Sequence, residues 1–197
     1  MPAIAEATRR RSAVCMLAVA VGAFAPAAGA ETIDEKAALC AACHGENGVP
    51  QQPSTPIIWG QNQGYLYLQL RDYQRGARQN EQMTPRASAL TREEMMALAE
   101  YFAQRPWPNL RQPSAPETVA AQAIGANTSV GCTGCHLEQY LGAGTVPRLA
   151  GQKEDYLART MAEFRNRTRG NNPGMSGLMI VTSEEQITAL AKYLAGL

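Results

Sequence analysis

Two short stretches hold most of the residues capable of metal or redox chemistry: "CAACH" at 40–44 and "CTGCH" at 132–136. They contain four of the five cysteines and both histidines of the 197-residue chain. A pair of thiols three positions apart, followed at once by an imidazole, matches covalent haem attachment. The sulfurs form thioethers with the two vinyl groups, and the ring takes one axial position on iron. Cys40, Cys43 and His44 would serve one haem c and Cys132, Cys135 and His136 a second. Three other chemistries fit less well. Zinc ribbons place their CxxC pairs within a few tens of residues, whereas these lie 92 apart. A thioredoxin-like redox pair follows a strand of a parallel-sheet unit, and no such pattern is present. Structural disulfides give no reason for His44 and His136.

Iron has a sixth position, and its occupant decides electron transfer against catalysis. No histidine remains to fill it within one chain, and a methionine thioether is the next candidate, which also raises the potential. Met83 follows His44 by 39 residues, and Met175 follows His136 by 39. Both lie in polar stretches, "NEQMTP" and "NNPGMSG", that read as irregular loops, where an apolar side chain needs a reason. Met95, Met96 and Met161 fall in helical patterns as core residues. Met179, four residues after Met175, remains the alternative in the second half. Pro56 and Pro147 follow the histidines at similar distances. Their carbonyls could accept the second ring N–H of each ligand, or each could be a simple turn proline.

The elements that must position these groups occur twice. Residues 56–80 align with 147–171, matching Gly60-Gln61 to Gly151-Gln152, Tyr65-Leu66 to Tyr156-Leu157 and Arg78 to Arg169. Residues 90–103 align with 182–195. The chain is a tandem duplication. Between the copies, "QRPWPNLRQPSAPET" at 104–118 carries four prolines and reads as a semi-rigid, extended linker centred near residue 112. Each copy is mostly helical. The spacing predicts a helix from about Ile33 into His44, and another from Tyr65 to about Arg75 with apolar residues at Leu66, Leu70 and Tyr73. A terminal helix opens on a capping box of Thr91 and Glu94, repeated by Thr182 and Glu185. The second copy's first helix, around "ETVAAQAIGANTSVG", is expected to be interrupted by its glycines. Long Gly-, Pro-, Gln- and Asn-rich loops suggest wrapping around a cofactor. Arg71, Arg75, Arg78, Arg165, Arg167 and Arg169 read as solvated helix faces and propionate partners, or as a dock for an acidic partner.

The N-terminus reads as a secretory signal over residues 1–30. "TRRR" at 8–11 precedes an apolar run from Ala13 to Ala28, with cleavage expected after Ala30. Cleavage removes Cys15, so the remaining cysteines all lie in the two motifs. It also removes Arg9, Arg10, Arg11 and Glu6, and 18 basic and 17 acidic residues become 15 and 16. That balance argues against nucleic acid and against a strongly charged membrane-surface role.

"CAACHG", "CTGCH", the two "GQ" loops with their following "YL", the "QMTP" and "PGMS" segments and the "EE"-started terminal helices together resemble the dihaem cytochrome c4 family over nearly the whole mature chain. The resemblance implies an all-α fold of two tandem class I cytochrome c domains, each of three to four helices wrapped around a covalently bound haem c. Domain 1 would span 31–105, the linker 106–117 and domain 2 118–197. It implies Met83 and Met175 as axial partners of His44 and His136. One departure stands out: Leu137 replaces the glycine that follows the motif at Gly45. The implied role is a periplasmic electron carrier and not an enzyme, passing electrons from respiratory or oxidative donors to a terminal oxidase or reductase, with a membrane oxidase or a periplasmic dehydrogenase or reductase as its redox partner. Membrane association through a partner is compatible with this role, and no small-molecule substrate is expected. An electron-transfer subunit of a periplasmic dehydrogenase, of flavocytochrome c type, is the alternative. A dihaem peroxidase needs a displaceable ligand and a poised acid or base, for which no histidine is spare.

Overall fold

The computed structural model describes residues 2–3 and 31–197. The expected signal segment, with Cys15 and the cleavage position, lies outside the described residues. In the first half, α1 (Ile33–His44) starts at Thr32, whose hydroxyl accepts from Glu35 N at 3.2 Å while the Glu35 carboxylate accepts from Thr32 N at 2.7 Å. Asp34 and Glu35 in the first turn also favour the helix N-terminus electrostatically. Next come α2 (Gln63–Gln74), α3 (Met83–Ser88) and α4 (Arg92–Ala103). α2 and α1 pack on α4, burying Ala37, Leu66, Leu98, Ala99 and Phe102. The second half has α5 (Glu117–Val130), the single turn α6 (Thr133–His136), α7 (Glu154–Arg165), α8 (Pro173–Met179) and α9 (Glu184–Ala195). α5 and α7 flank α9 over a core that includes Ala123, Leu157, Met161, Phe164, Leu190 and Leu194. Among the described residues there is no strand, only one isolated bridge between Ala143 and Val146.

Several local expectations change. Met83 and Met175 lie in the first turns of short helices, not in irregular loops. α5 runs unbroken through Gly125. It stops at Gly131, whose left-handed φ of 79° closes the helix with an N–H to Asn127 O at 2.7 Å. The second Cys–His motif therefore sits on its own turn, while the first ends one continuous helix, and the second half has five helices in place of four. The box on α9 is made by Ser183 and Gln186, not Thr182 and Glu185. Thr182 is buried and its hydroxyl donates back to Leu178 O at 2.9 Å, which leaves Ser183 as the extended residue able to cap. The 92-residue offset sets Ser183 opposite Thr91.

No helix spans the proline-rich segment between α4 and α5. Gln112 anchors it to the second half, its amide donating to Gln152 O at 3.0 Å and Ala195 O at 3.1 Å. The two halves meet through reciprocal hydrogen bonds. Arg78 reaches Tyr156 Oη and Arg169 reaches Tyr65 Oη, both at 3.4 Å. Asn62 donates to Leu141 O and Val146 O, while Lys153, at the aligned position, donates to Pro50 O and Gln52 O. Such pairing is the signature of two-fold-related faces.

Candidate haem-binding sites

Cys40, Cys43 and His44 share the last turn of α1, since positions i, i+3 and i+4 fall on one helix face. His44 is buried, and its Nδ1 lies 2.8 Å from Pro56 O. A carbonyl can only accept, so Nδ1 carries the proton and Nε2 presents a lone pair. His136 repeats this with Pro147 O at 3.0 Å. The two prolines thus act as acceptors and not merely as turn residues. Burial pushes both imidazoles below their ordinary pKa, opposed by the carbonyl contacts, and Arg86 adds to the lowering at His44. Neutral imidazole with a free Nε2 is the form that binds iron. None of the four motif cysteines is in a disulfide; Cys43 and Cys135 are exposed and Cys40 and Cys132 half-buried. Burial raises the pKa of Cys40 and Cys132.

Met83 and Met175 are both half-buried and are held alike. Met83 N donates to Asn80 Oδ1 at 3.0 Å, and Met175 N donates to Asn172 Oδ1 at 3.1 Å. Met179 instead belongs to the second core at 2% exposure, and its counterpart under the 92-residue offset, Ala87, is at 0%. That position packs in both halves.

The six arginines of interest separate. Arg71 pairs with Asp72 at 2.7 Å, and Arg165 bonds Thr182 O and Glu184. Arg75 and Arg167 face solvent. Arg78 and Arg169 are buried, with no carboxylate among their described partners. Arg169 Nη1 is buried with no hydrogen-bond partner at all. An orphaned buried guanidinium N–H calls for an anion, which a haem carboxylate would supply. Two thiols, a neutral imidazole, a thioether and buried cationic donors, twice over, fit haem c.

The cytochrome c family model matches residues 27–106 and again 119–197. Cytochrome c4 of Thiocapsa roseopersicina is 37% identical over 169 residues, covering 81% of this chain and 87% of that protein. The chain belongs to the dihaem cytochrome c4 family. The solved cytochrome c4 of Acidithiobacillus ferrooxidans superposes with a TM-score of 0.73 at 31% identity, covering 82% of this chain and 99% of that one. A protein of Stutzerimonas stutzeri named thiosulfate dehydrogenase electron acceptor is 33% identical over 172 residues, covering 81% of this chain and 79% of its own length. This cytochrome c4 carries two covalently bound haem c groups and transfers electrons rather than catalysing a reaction.

Sequence reasoning missed the two asparagines that hold the methionine backbones. It also missed the partners of Gln61 and Gln152, which lie in the opposite half. Both pairs recur between the copies, the asparagines at an offset of 92 and the glutamines at 91, which was the available signal.

Proposed function

We propose that this cytochrome c4 is an exported, periplasmic electron carrier, with His44 and Met83 ligating one iron and His136 and Met175 the other. The observation that carries the ligand assignment is the duplicated geometry: a buried histidine with its Nδ1 tied to a proline carbonyl, and 39 residues later a methionine held by an asparagine. When bound, haem supplies the one-electron couple. The protein contributes orientation and a low-dielectric surround. Pro56 and Pro147 fix the two rings and keep each Nε2 unprotonated. Arg78 and Arg169 offer buried donors to carboxylates. The partners on this reading are redox proteins, either a membrane oxidase or periplasmic dehydrogenases and reductases. The test is a visible spectrum of oxidised and reduced protein with haem content per chain. Two haems per chain, both low-spin with sulfur-to-iron bands, are expected; a five-coordinate signal in both domains would overturn the assignment.

A second reading, an electron-accepting subunit held by a dehydrogenase, is favoured by the relative named thiosulfate dehydrogenase electron acceptor. It is also favoured by adjacent exposed apolar residues, Ile180 and Val181, the latter at 74% exposure. A stable complex on purification under native conditions distinguishes it from a free carrier.

A further inference from the structure

The two glutamines of the repeated "GQ" loops are among the most buried polar residues, Gln61 at 3% and Gln152 at 2% exposure. Each reaches into the opposite half. Gln152 Oε1 accepts from Ile57 N at 2.8 Å and Gln152 Nε2 donates to Ile57 O at 2.9 Å. Gln61 Oε1 accepts from Arg148 N at 2.8 Å and Gln61 Nε2 donates to Arg148 O at 3.0 Å. Ile57 N belongs to the same peptide group as Pro56 O, the acceptor of the His44 ring proton. Arg148 N likewise shares its peptide with Pro147 O, the acceptor for His136. The bonds therefore run in series: His44 Nδ1–H to Pro56 O, then across one planar amide from Ile57 N–H to Gln152 Oε1. The mirror series runs from His136 through the Pro147–Arg148 amide to Gln61.

We infer that Gln152 is a positioning residue for the histidine of the first domain and Gln61 for that of the second, so that each haem's proximal ligand is tuned by the opposite domain. The inference rests on His44 and His136 being the axial ligands. An amide is one resonant unit. Drawing its N–H toward an acceptor raises the negative charge on its oxygen, and in a low-dielectric interior such chains strengthen by about 10–30% per bond. A stronger acceptor on Nδ1–H makes the imidazole a more basic ligand and favours the ferric state. Interface adhesion alone does not require these glutamines, since Asn62, Lys153, Arg78 and Arg169 also bridge the halves. Each oxygen also accepts the next backbone N–H, Asn62 N or Lys153 N, which fixes its direction.

The test uses the reduced holoprotein and proton NMR of the ring Nδ1–H of His44 and His136, with spectroelectrochemical titration of both couples. In Gln152→Met the His44 Nδ1–H signal should move upfield and exchange faster. The first-domain reduction equilibrium should shift about two- to threefold toward the reduced form, while His136 is unchanged. Gln61→Met should do the reverse. Gln152→Glu keeps the acceptor and strengthens it while losing the donor to Ile57 O, so His44 Nδ1–H should move downfield. A mere loss of interface contact would move it upfield, and this variant decides the matter if Gln152→Met does not fold. An unmoved His44 signal in Gln152→Met, equal movement of both histidines, or an upfield shift in Gln152→Glu would overturn the inference. If His44 ring protons in the unaltered protein lack the ring-current shift of an axial ligand, the ligand assignment has failed and the inference falls with it.

Discussion

Met175 and Met179 lie one helical turn apart on α8, and the structure predicts opposite consequences for their loss. Met179 is 2% exposed within the second core. Met179→Ala removes Cγ, Sδ and Cε and leaves a cavity, a change that costs about 2–5 kcal/mol. For a chain of this size each kcal/mol moves the melting point by roughly 2–4 °C, so a mid-range loss of about 3 kcal/mol lowers it by roughly 6–12 °C. Both reduction potentials and the sulfur-to-iron band should survive. Met175 is half-buried, and its backbone N–H is fixed by Asn172. Met175→Ala should abolish about half of the band and lower one potential, because a thioether ligand favours the ferrous state. Thermal melts followed in the Soret region, paired with near-red absorption of the oxidised protein, read both quantities. A Met179→Ala protein that loses the band share, beside a Met175→Ala protein that keeps it, would refute the reasoning and make Met179 the ligand.

Gly45 has a φ of 90°, and a Cβ there would strike the Val49 carbonyl; Gly45→Ala should cost at least about 2 kcal/mol in denaturant unfolding, and an unchanged midpoint would contradict this. Leu137 adopts φ 64° at the matching place with its side chain 48% exposed. Leu137→Gly relieves about 1–3 kcal/mol of backbone strain against about 0.5–1 kcal/mol for glycine's chain entropy and some lost burial, so its melting point should not fall. Asn80→Ala removes the acceptor for Gln82 N and Met83 N and should cost about 1 kcal/mol, with faster ligand exchange at the first haem measured by added imidazole. Glu35 and Glu94 are held below the ordinary 4.5, foremost by accepting the Thr32 and Thr91 backbone N–H groups. Their folded pKa is depressed, so their contribution is present above about 4.5 and is lost as pH falls through the depressed value. Gln186 makes the same bond to Ser183 N at 2.9 Å without a titrating proton. Hydrogen exchange at Thr32 and Thr91 should therefore lose protection on acidification, relative to Ser183; equal behaviour of all three would contradict the capping assignment.

Much of the chemistry was legible because it is local. A CxxCH motif brings two thiols and a ring together within one turn whatever surrounds it, and duplication made the 39-residue interval to Met83 and Met175 readable without a structure. Helix ends were legible where a cap uses residues three apart, as at Thr91 and Glu94. The same logic misplaced the cap on α9 by one residue: the 92-residue offset already aligns Ser183 with Thr91, while the Thr182 hydroxyl bonds back to Leu178 O.

What only the tertiary structure decided are the pairings between residues far apart in sequence. Arg78 and Arg169 looked like the surface arginines beside them, and only packing of the halves buried them and left Arg169 Nη1 without an acceptor. Gln61 and Gln152 were visible as a repeated dipeptide, but their backbone partners lie 87 and 95 residues away. No periodicity encodes such a bond, because its geometry is set by how two folded surfaces meet. The sequence by itself determined that there are two CxxCH motifs and which residues are candidates to ligate haem, because motif and spacing are local; the fold determined that each proline–histidine pair is bonded to a glutamine of the other half.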